Sequence, residues 1–305
     1  MEESRFTDIA LKIIGPGRFE TYLVCGNPNG GVPSLTSYIT RIFYLGDRYH
    51  GSQYQPGLTT VQSELIEAVS QWSGNPHSTQ TVQLAGRTDR GVHSVGQIVQ
   101  ILSEKKLEID RINRHLPWDI TLWAWAEAPY DFRPRFDALM RHYRYYFESP
   151  FSHLNLPSMR RALELLIGSH DFSLLSKPDG NRPTVATILN GCLAEQKGTL
   201  TMDLFGTNFL WKLVRKMASL LLQIGTGISS LDIISDIISG RNAIPGGIRP
   251  APPECLVLVE TVVSIRMKST KRAKKRIQKH VSGHLRSLER SKTTIAAVNE
   301  DYFSD

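Results

Sequence analysis

The stretch Leu84–Ser94, LAGRTDRGVHS, places Arg87 and Asp89 between two glycines. It is followed by the apolar run 97–102, QIVQIL, whose β-branched residues predict a strand. Glycine and aspartate favour sharp turns, because glycine tolerates positive φ and aspartate hydrogen-bonds its own backbone. The pattern therefore predicts a turn next to a strand, with the carboxylate of Asp89 presented to a substrate. Taken by themselves, such residues more often form a turn with a purely structural role.

Outward from this turn, periodic apolar patterns predict an α+β chain with a strand, a helix and further strands in each half. Strands are predicted at 38–44, 142–147, 200–204 and from 256, where β-branched, aromatic or alternating apolar residues occur. Helices are predicted from apolar residues at helical spacing over 61–72, after Ser158 and over 209–224, the last ending at Gly225. The recurring order is an indication of duplication, although no sequence repeat accompanies it.

Loop-forming residues and charge divide the chain into four segments. Residues 1–36 are expected to be an N-terminal extension that ends in a linker rich in Gly, Asn and Pro. A first α+β domain, 37–138, carries the Asp89 turn, and a second α+β domain covers 139–265. Residues 266–305 are expected to form a basic C-terminal tail.

Composition indicates a globular protein of 305 residues that can bury a sizeable core. Cys25, Cys192 and Cys255 are odd in number and far apart, so neither a disulfide framework nor a zinc site is expected, and the three are predicted to be buried. No run approaches the roughly 18 apolar residues of a membrane helix, and the acidic start does not resemble a secretory signal. We therefore expect a cytoplasmic protein without a membrane association.

Positive charge is concentrated in the tail. Residues 266–292 hold 11 Lys and Arg against one acid, Glu289, whereas the rest of the chain holds 25 Lys and Arg against 28 acids. Such a run can neutralise phosphates and release counterions, which gives RNA affinity that depends on salt and not on sequence. The other interpretation is a solvated, partly helical or disordered tail that only aids solubility, because blocks of like charge often do no more than that.

The opening stretch also carries the pattern GRTD-x-GVH, which resembles the signature loop of the TruA-type tRNA pseudouridine synthases. Further motifs that are similar to those of this family occur in the family's order between residues 38 and 263. They are Y-x-G-x-x-YHG-x-Q at 44–53, TVQ-x-EL at 60–65, LP at 116–117, DF-x-x-RF-x-A-x-x-R-x-Y-x-Y at 131–145, G-x-HDFS at 168–173, FL-x-x-x-VR at 209–215 and APPE-x-L at 251–256. The chain departs from the family pattern at Ser52, Arg90, Leu213 and Cys255, which concerns substrate selection and RNA packing and not the acid.

The resemblance implies two similar α/β-sandwich halves of the ferredoxin-like pseudouridine synthase fold, with antiparallel sheets that meet at a central RNA-binding cleft. It implies an isomerase acting on tRNA, at uridines 38, 39 and 40 of the anticodon arm, and a homodimer in which each tRNA touches both subunits. The reaction cleaves the N1–C1′ bond of uridine and rejoins the base through C5, without redox change or an added group. No cofactor and no metal are therefore expected.

The same resemblance assigns roles to individual residues. Asp89 is the expected catalytic residue, acting as nucleophile at C1′ or in removal of a sugar proton, and both roles need it ionised. Arg215 is implied as its cationic partner, which would favour the charged form. Tyr143 is implied as the aromatic ring that stacks on the extruded base, with Arg87 beside the flipped nucleotide.

Each role has a structural alternative. An aromatic residue in a strand usually packs a sheet, so Tyr143 by itself is a core candidate, and Tyr145 is expected in the core. Arg215 by itself is an ordinary surface arginine. Thr88, His93 and His170 match the family but are interpreted as residues that shape loops. RNA contacts are assigned to the following residues: Arg135, Lys271, Arg272, Lys274, Lys275 and Arg276.

Other functions stay open at this stage. A synthase of the same family acting on other tRNA positions would carry the same motifs. A non-catalytic RNA-binding protein would keep the fold and the basic tail, but it has no need of an acid paired with an arginine. A glycosidase would need a second acid at a suitable distance, and the motif places none.

Overall fold

The computed structural model describes residues 9–15, 18–23, 35–148, 150–180, 183–196, 198–241 and 247–303. Its strands are β1 Ile9–Gly15, β2 Arg18–Leu23, β3 Thr36–Tyr44, β4 Val82–Leu84, β5 His93–Ser103, β6 Ile120–Ala128, β7 Met140–Tyr146, β8 Gly168–Asp171, β9 Val185–Gln196, β10 Thr199–Gly206, β11 Leu256–Val262 and β12 Lys268–Ser269. Its α-helices are α1 Val61–Ser73, α2 Ile109–Ile112, α3 Leu156–Leu165, α4 Leu213–Gly225, α5 Ile233–Ile238 and α6 Lys271–Phe303. Each predicted strand and helix is thus present, although some of their boundaries differ.

One continuous sheet connects the two halves of the chain. Its strand order is β12-β6-β3-β5-β11-β7-β10-β9-β8, with β4 added to β5, while β1 and β2 form a separate hairpin. Strands β5 and β11 run parallel and pair at Val257 with His93 and at Leu258 with Ser94. The expectation of two antiparallel sheets is corrected in this respect, because the parallel pair joins them edge to edge.

Each half builds its own apolar core on the sheet. In the first half, Val61, Leu65 and Val69 project from one face of α1 and are buried with residues of β3, β5 and β6. In the second half, α3 packs on β9, α4 packs on β7, and the two helices contact each other. Thr60 caps α1 by accepting a hydrogen bond from the backbone N–H of Ser63, and the reciprocal bond completes a capping box. Helical periodicity therefore identified the faces that hold the helices on the sheet.

Two helix boundaries differ from the prediction. Helix α3 begins at Leu156, with Asn155 as its N-cap, so Ser158 lies inside its first turn. Helix α4 begins at Leu213 and not at Phe209, because Lys212 has a left-handed backbone conformation with φ 65° that cannot continue a helix. Gly225 is the last residue of α4 and does not terminate it by a positive φ.

The basic tail is largely helical and begins against the first half. Strand β12 pairs with β6, and α6 follows at once. Ala273 is buried, and the guanidinium of Arg276 donates to the carbonyls of Leu116 and Pro117 at 2.9 and 3.0 Å. These contacts hold the first turns of α6 on the body of the protein.

Three other expectations concern single residues and the extension. Cys192 is exposed on β9 and Cys255 is half-buried, so the predicted burial is wrong for Cys192, whereas Cys25 lies outside the described residues. Within the extension 1–36, the linker 26–34 also lies outside them. No helix among the described residues is long and apolar enough to cross a membrane.

Candidate active site

The turn 86–91 that carries Asp89 has a shape that depends on glycine at one of its two ends. Gly91 has φ +86°, and a Cβ at this position would lie 2.9 Å from Cγ of Pro253. Gly86 lies outside the positive φ region, and a Cβ there would meet its nearest neighbour at 3.8 Å. Gly91 therefore needs the conformational freedom of glycine, because the chain turns there at positive φ beside the second half.

Buried hydrogen bonds fix the middle of the turn to the first half. The backbone N–H of Thr88 donates to Ser52 Oγ at 2.8 Å, and the N–H of Ser52 donates to the Thr88 carbonyl at 3.1 Å. Thr88 Oγ1 also bonds the hydroxyl of Tyr44 at 2.9 Å, and His93 Nδ1 accepts from the N–H of Gly46 at 3.0 Å. Thr88 and His93 thus shape the loop, as predicted. Ser52 has the same role, since it is buried and bonded to the loop.

Both oxygens of the Asp89 carboxylate have donors from the second half. Arg215 Nη1 lies 2.6 Å from Oδ2, and the indole Nε1 of Trp211 donates to Oδ1 at 2.8 Å. Arg215 is held in turn, because its Nε donates to the Ala251 carbonyl at 2.7 Å. The side chain of Asp89 is 20 % exposed and that of Arg215 is 11 % exposed, so the ion pair is poorly screened by water. The pairing of Asp89 with Arg215 is present as predicted.

The local fold of the second half explains how these donors reach Asp89. Arg215 projects from the first turn of α4, in a helix whose other face carries the apolar side chains of the core. Trp211 immediately precedes the left-handed residue Lys212 and lies outside the helix. Among the described residues, Lys212 alone combines positive φ with a side chain. Such conformations cost free energy and concentrate at functional sites.

Tyr143 lies in the wall beside the acid. Its side chain is almost wholly buried, and its ring contacts the ring of Phe209 edge to face at a centroid distance of 4.9 Å. Burial raises the pKa of Tyr143 to about 12, with a smaller contribution from the Asp89 charge, so the phenol is neutral at physiological pH. The structure places Tyr143 at the edge of the core and of the site at once. Tyr145, two residues on, is in the core as predicted.

Arg141 connects backbone segments of both halves next to the Asp89 turn. Its Nη2 donates to the carbonyls of Ala85 and Arg135 at 3.0 and 2.9 Å, and its Nη1 donates to the Thr207 carbonyl at 2.6 Å. Ala85 belongs to the first half and Thr207 to the second. One buried guanidinium therefore holds three separate backbone segments at the base of the Asp89 turn.

These residues surround a cavity of about 910 Å³, which we call the Asp89 cavity. The first half lines it with residues from 50–55 and 85–92, and the second half with Tyr143 and residues from 207–215. Its size falls in the range of small-ligand pockets and suffices for a nucleotide. The cavity brings the four predicted residues of the reaction centre into one space: Asp89, Arg87, Tyr143 and Arg215.

The predicted RNA-contact residues occupy two places. Arg135 lies on the wall of the Asp89 cavity, next to Phe136, whose ring is 71 % exposed and has the Arg133 guanidinium above it. The tail residues lie on α6, where four of the five are exposed: Lys271, Arg272, Lys274 and Lys275. Arg276 is the exception, because its guanidinium is engaged with carbonyls of the protein.

Sequence reasoning missed three residues of the site. Trp211 stands in the FL-x-x-x-VR motif at a position that the motif leaves open, and nothing in helical periodicity points it toward Asp89. Arg141 is part of the motif at 131–145, but no role was predicted for it. An arginine inside a strand of aromatic residues is a signal of a buried polar contact. Phe209, which contacts Tyr143, was counted as part of a helix that begins four residues later.

Comparisons with known proteins identify the family of this chain. The family model for tRNA pseudouridine synthase matches residues 162–262. The tRNA pseudouridine synthase A of Methanosarcina acetivorans is 39% identical over 224 residues, which cover 72% of this chain and 81% of the relative. Those of Methanothermobacter thermautotrophicus and Archaeoglobus fulgidus are each 34% identical, over 75% and 73% of this chain respectively and 82% of each relative. The ordered motifs and these matches show that the chain belongs to the TruA family of tRNA pseudouridine synthases, which are isomerases.

Proposed function

We propose that this synthase isomerises uridines 38, 39 and 40 in the anticodon arm of tRNA, with Asp89 as the catalytic residue. One observation supports this role of Asp89. Both oxygens of its carboxylate are bound, by Arg215 at 2.6 Å and by Trp211 at 2.8 Å, inside a cavity of nucleotide size. The positions in the anticodon arm follow from the resemblance to the TruA family.

The surroundings of Asp89 suit a reaction that needs an ionised carboxylate. Breaking the N1–C1′ bond leaves electron deficiency at C1′, which an adjacent carboxylate relieves by attack, or by removing a proton from the sugar. Arg215 places a positive charge 2.6 Å from one carboxylate oxygen, and the indole of Trp211 donates to the other. After the uracil turns, C5 bonds to C1′, the C5 proton is lost and N1 gains a proton, so the product is an isomer of the substrate.

The walls of the cavity suit an extruded base. A stacked uridine in a stem-loop is out of reach of Asp89, and extrusion costs a few kcal/mol. The ring of Tyr143 offers a stacking surface worth roughly 1 to 3 kcal/mol. Arg87 stands on the same turn as the acid, half-exposed and 3.8 Å from Asp179, where a guanidinium is available to a phosphate or to the space that the base vacates. The tyrosine hydroxyl stays neutral at the pH of the reaction.

The start of α6 offers a second contact for tRNA, away from the acid. It forms a cavity of about 290 Å³ with α2, and its cationic side chains are Arg114, Arg272, Lys275, Arg276 and Lys279. Arg276 anchors the helix to the body, so the other four are the phosphate contacts. Lys274 instead lies over the ring of Trp123 at 5.7 Å. Because the first turns of α6 are docked, these four charges are presented as a fixed surface, and not as a flexible arm.

A homodimer is part of the proposal and follows from the family resemblance, with each tRNA touching both subunits. A tRNA is long enough to contact the Asp89 cavity of one copy and a basic surface of the other. A cytoplasmic location is likewise proposed, in agreement with a tRNA substrate.

The proposal is tested by mapping pseudouridine in an unmodified tRNA transcript incubated with the purified chain. We expect product at positions 38, 39 and 40 with the native chain and none with Asp89→Asn. Product at other positions would retain the reaction and overturn the site preference. Binding of tRNA without any product from a broad tRNA pool would favour the non-catalytic alternative.

A further inference from the structure

We propose that Trp211 is a positioning residue for Asp89, fixing the rotation of its carboxylate through the indole N–H. The inference rests on the proposed catalytic role of Asp89. It assigns to Trp211 a task that a phenylalanine ring cannot perform, because that ring has no N–H to donate to the Oδ1 atom.

Two donors hold the carboxylate of Asp89, one on each oxygen. Arg215 holds Oδ2 through Nη1 alone, while its Nε is used by the Ala251 carbonyl. A single contact to one oxygen leaves the carboxylate free to rotate about its Cβ–Cγ bond. The bond from Trp211 to the other oxygen, at 2.8 Å, removes that freedom. A nucleophile or base must keep its reacting oxygen in line with the sugar, and fixed orientation is a large part of catalytic advantage.

Lys177 holds the indole of Trp211 in place. The Lys177 ammonium lies 4.1 Å from the centroid of the Trp211 ring, and the backbone N–H of Lys177 donates to the Trp211 carbonyl at 2.9 Å. A cation over an indole face is attracted by the ring quadrupole. The backbone bond and the cation together fix both the main chain and the plane of Trp211. The ring is therefore oriented although it is 42 % exposed.

The backbone directly after Trp211 also affects the direction of its side chain. Lys212 is in the left-handed region at φ 65°, between Trp211 and the first residue of α4. If Lys212 were helical, Trp211 would be the preceding residue of a continuous helix and its side chain would follow the helical periodicity. The left-handed residue releases Trp211 from that path. A strained residue directly after the one that bonds the acid fits a role in the site.

The test compares two tryptophans that each donate an indole hydrogen bond. Trp211→Phe removes the donor to Asp89 and keeps an aromatic ring under Lys177. The matched control is Trp123→Phe, since Trp123 Nε1 donates to the Val95 carbonyl at 2.7 Å and Trp123 does not line the Asp89 cavity. For each variant, the single-turnover rate at saturating tRNA, the Kd for tRNA and the thermal midpoint are measured.

We expect Trp211→Phe to lower the single-turnover rate by roughly ten- to a hundredfold, the usual effect of losing one hydrogen bond to a charged group. Its Kd and thermal midpoint should match those of Trp123→Phe, whose rate should be close to that of the native chain. A native rate in Trp211→Phe, or a loss confined to Kd, would overturn the inference while leaving the role of Asp89 intact. Turnover by Asp89→Asn would overturn the proposed function, and with it this inference.

Discussion

Asp89 and Arg215 are 126 residues apart in the sequence and form an ion pair of 2.6 Å between the two halves of the fold. Asp89 belongs to a loop that is held on the first half by the hydrogen bonds between Ser52 and Thr88. Arg215 belongs to a helix that packs in the core of the second half. The ion pair at the proposed reaction centre therefore forms only when both halves are folded and correctly placed. The parallel pairing of β5 with β11 joins the two halves within one sheet.

Removing the arginine is expected to affect stability as well as turnover. Arg215→Met leaves a largely buried carboxylate and the Ala251 carbonyl without their cationic partner, which should lower the free energy of unfolding by about 3 kcal/mol. Urea denaturation measures the loss. The double variant Arg215→Met with Asp89→Asn is the control, because it leaves no unpaired charge and should recover part of the stability. Strict additivity of the two single changes would contradict this account.

The two glycines of the turn are expected to differ. Gly91→Ala forces a side chain into φ +86° and against Pro253, so it should destabilise the protein by about 1 to 2 kcal/mol and lower turnover by displacing Asp89. Gly86→Ala meets ordinary contacts at 3.8 Å and should change stability by less than about 0.5 kcal/mol. Thermal unfolding of the two variants side by side decides the matter, and equal losses would show that the turn is not constrained at Gly91.

Arg141 is expected to be more important for the fold than its place in a strand indicates. Arg141→Met keeps the apolar stem but leaves the carbonyls of Ala85, Arg135 and Thr207 without their donor. The expected loss is about 3 kcal/mol, because several buried acceptors lose bonds to one charged group. Arg144→Met is a suitable comparison, since its partner Asp203 keeps a bond to His142. A smaller loss for Arg141→Met than for Arg144→Met would be incompatible with the role proposed for Arg141.

The fixed charges of α6 are expected to govern the salt dependence of tRNA binding. Replacing Arg114, Arg272, Lys275 and Lys279 with Gln should reduce the slope of log K against log salt by about 3, at roughly 0.7 to 0.9 per phosphate contact. The rate at saturating tRNA should change little, because these side chains lie outside the Asp89 cavity. Arg160→Gln with Arg161→Gln, two exposed changes on α3, is the control. An unaltered slope in the fourfold variant would show that tRNA does not contact this surface.

Docking of α6 is expected to depend on pH through His280. Burial lowers the pKa of His280 below its usual value of 6.5, and the charges of Arg276 and Lys279 lower it further. Because the folded state favours the neutral ring, its contribution is present above pH 6.5 and is lost as the pH falls through the lowered pKa. His280 packs on Trp118. The protection factors of backbone amides in the first turns of α6, which correct for the intrinsic pH dependence of hydrogen exchange, should therefore fall on acidification. His280→Gln should remove this dependence, and a native-like pH response in that variant would contradict the assignment.

Periodicity and turn chemistry were sufficient to predict the elements that build the two cores. The apolar stripes of α1 and α4 and the alternation at Leu200, Met202 and Leu204 each reflect one buried face, and local sequence contains that information. The join between β5 and β11 was not predicted, because pairing between strands that are distant in the sequence depends on tertiary contacts. The continuous sheet was therefore beyond the reach of local patterns.

In the site too, some residues were predictable from the sequence and others depended on tertiary structure. Asp89, Arg87, Tyr143 and Arg215 were found through motifs, and the structure brings them to one cavity. Trp211 was not found, because its orientation follows from the left-handed conformation of Lys212, a lysine that no turn rule predicts there. Ser52 was interpreted as a change that concerned RNA packing, whereas its hydroxyl accepts a bond from the loop itself.

The most direct test of the central role of Asp89 is the release of tritium from tRNA that carries [5-³H]uridine. Bond formation between C5 and C1′ expels the hydrogen of C5, so release reports the isomerisation itself. With saturating tRNA, we predict release by the native chain and none by Asp89→Asn, while the two bind tRNA with similar Kd. Release by Asp89→Asn at the native rate would contradict the account.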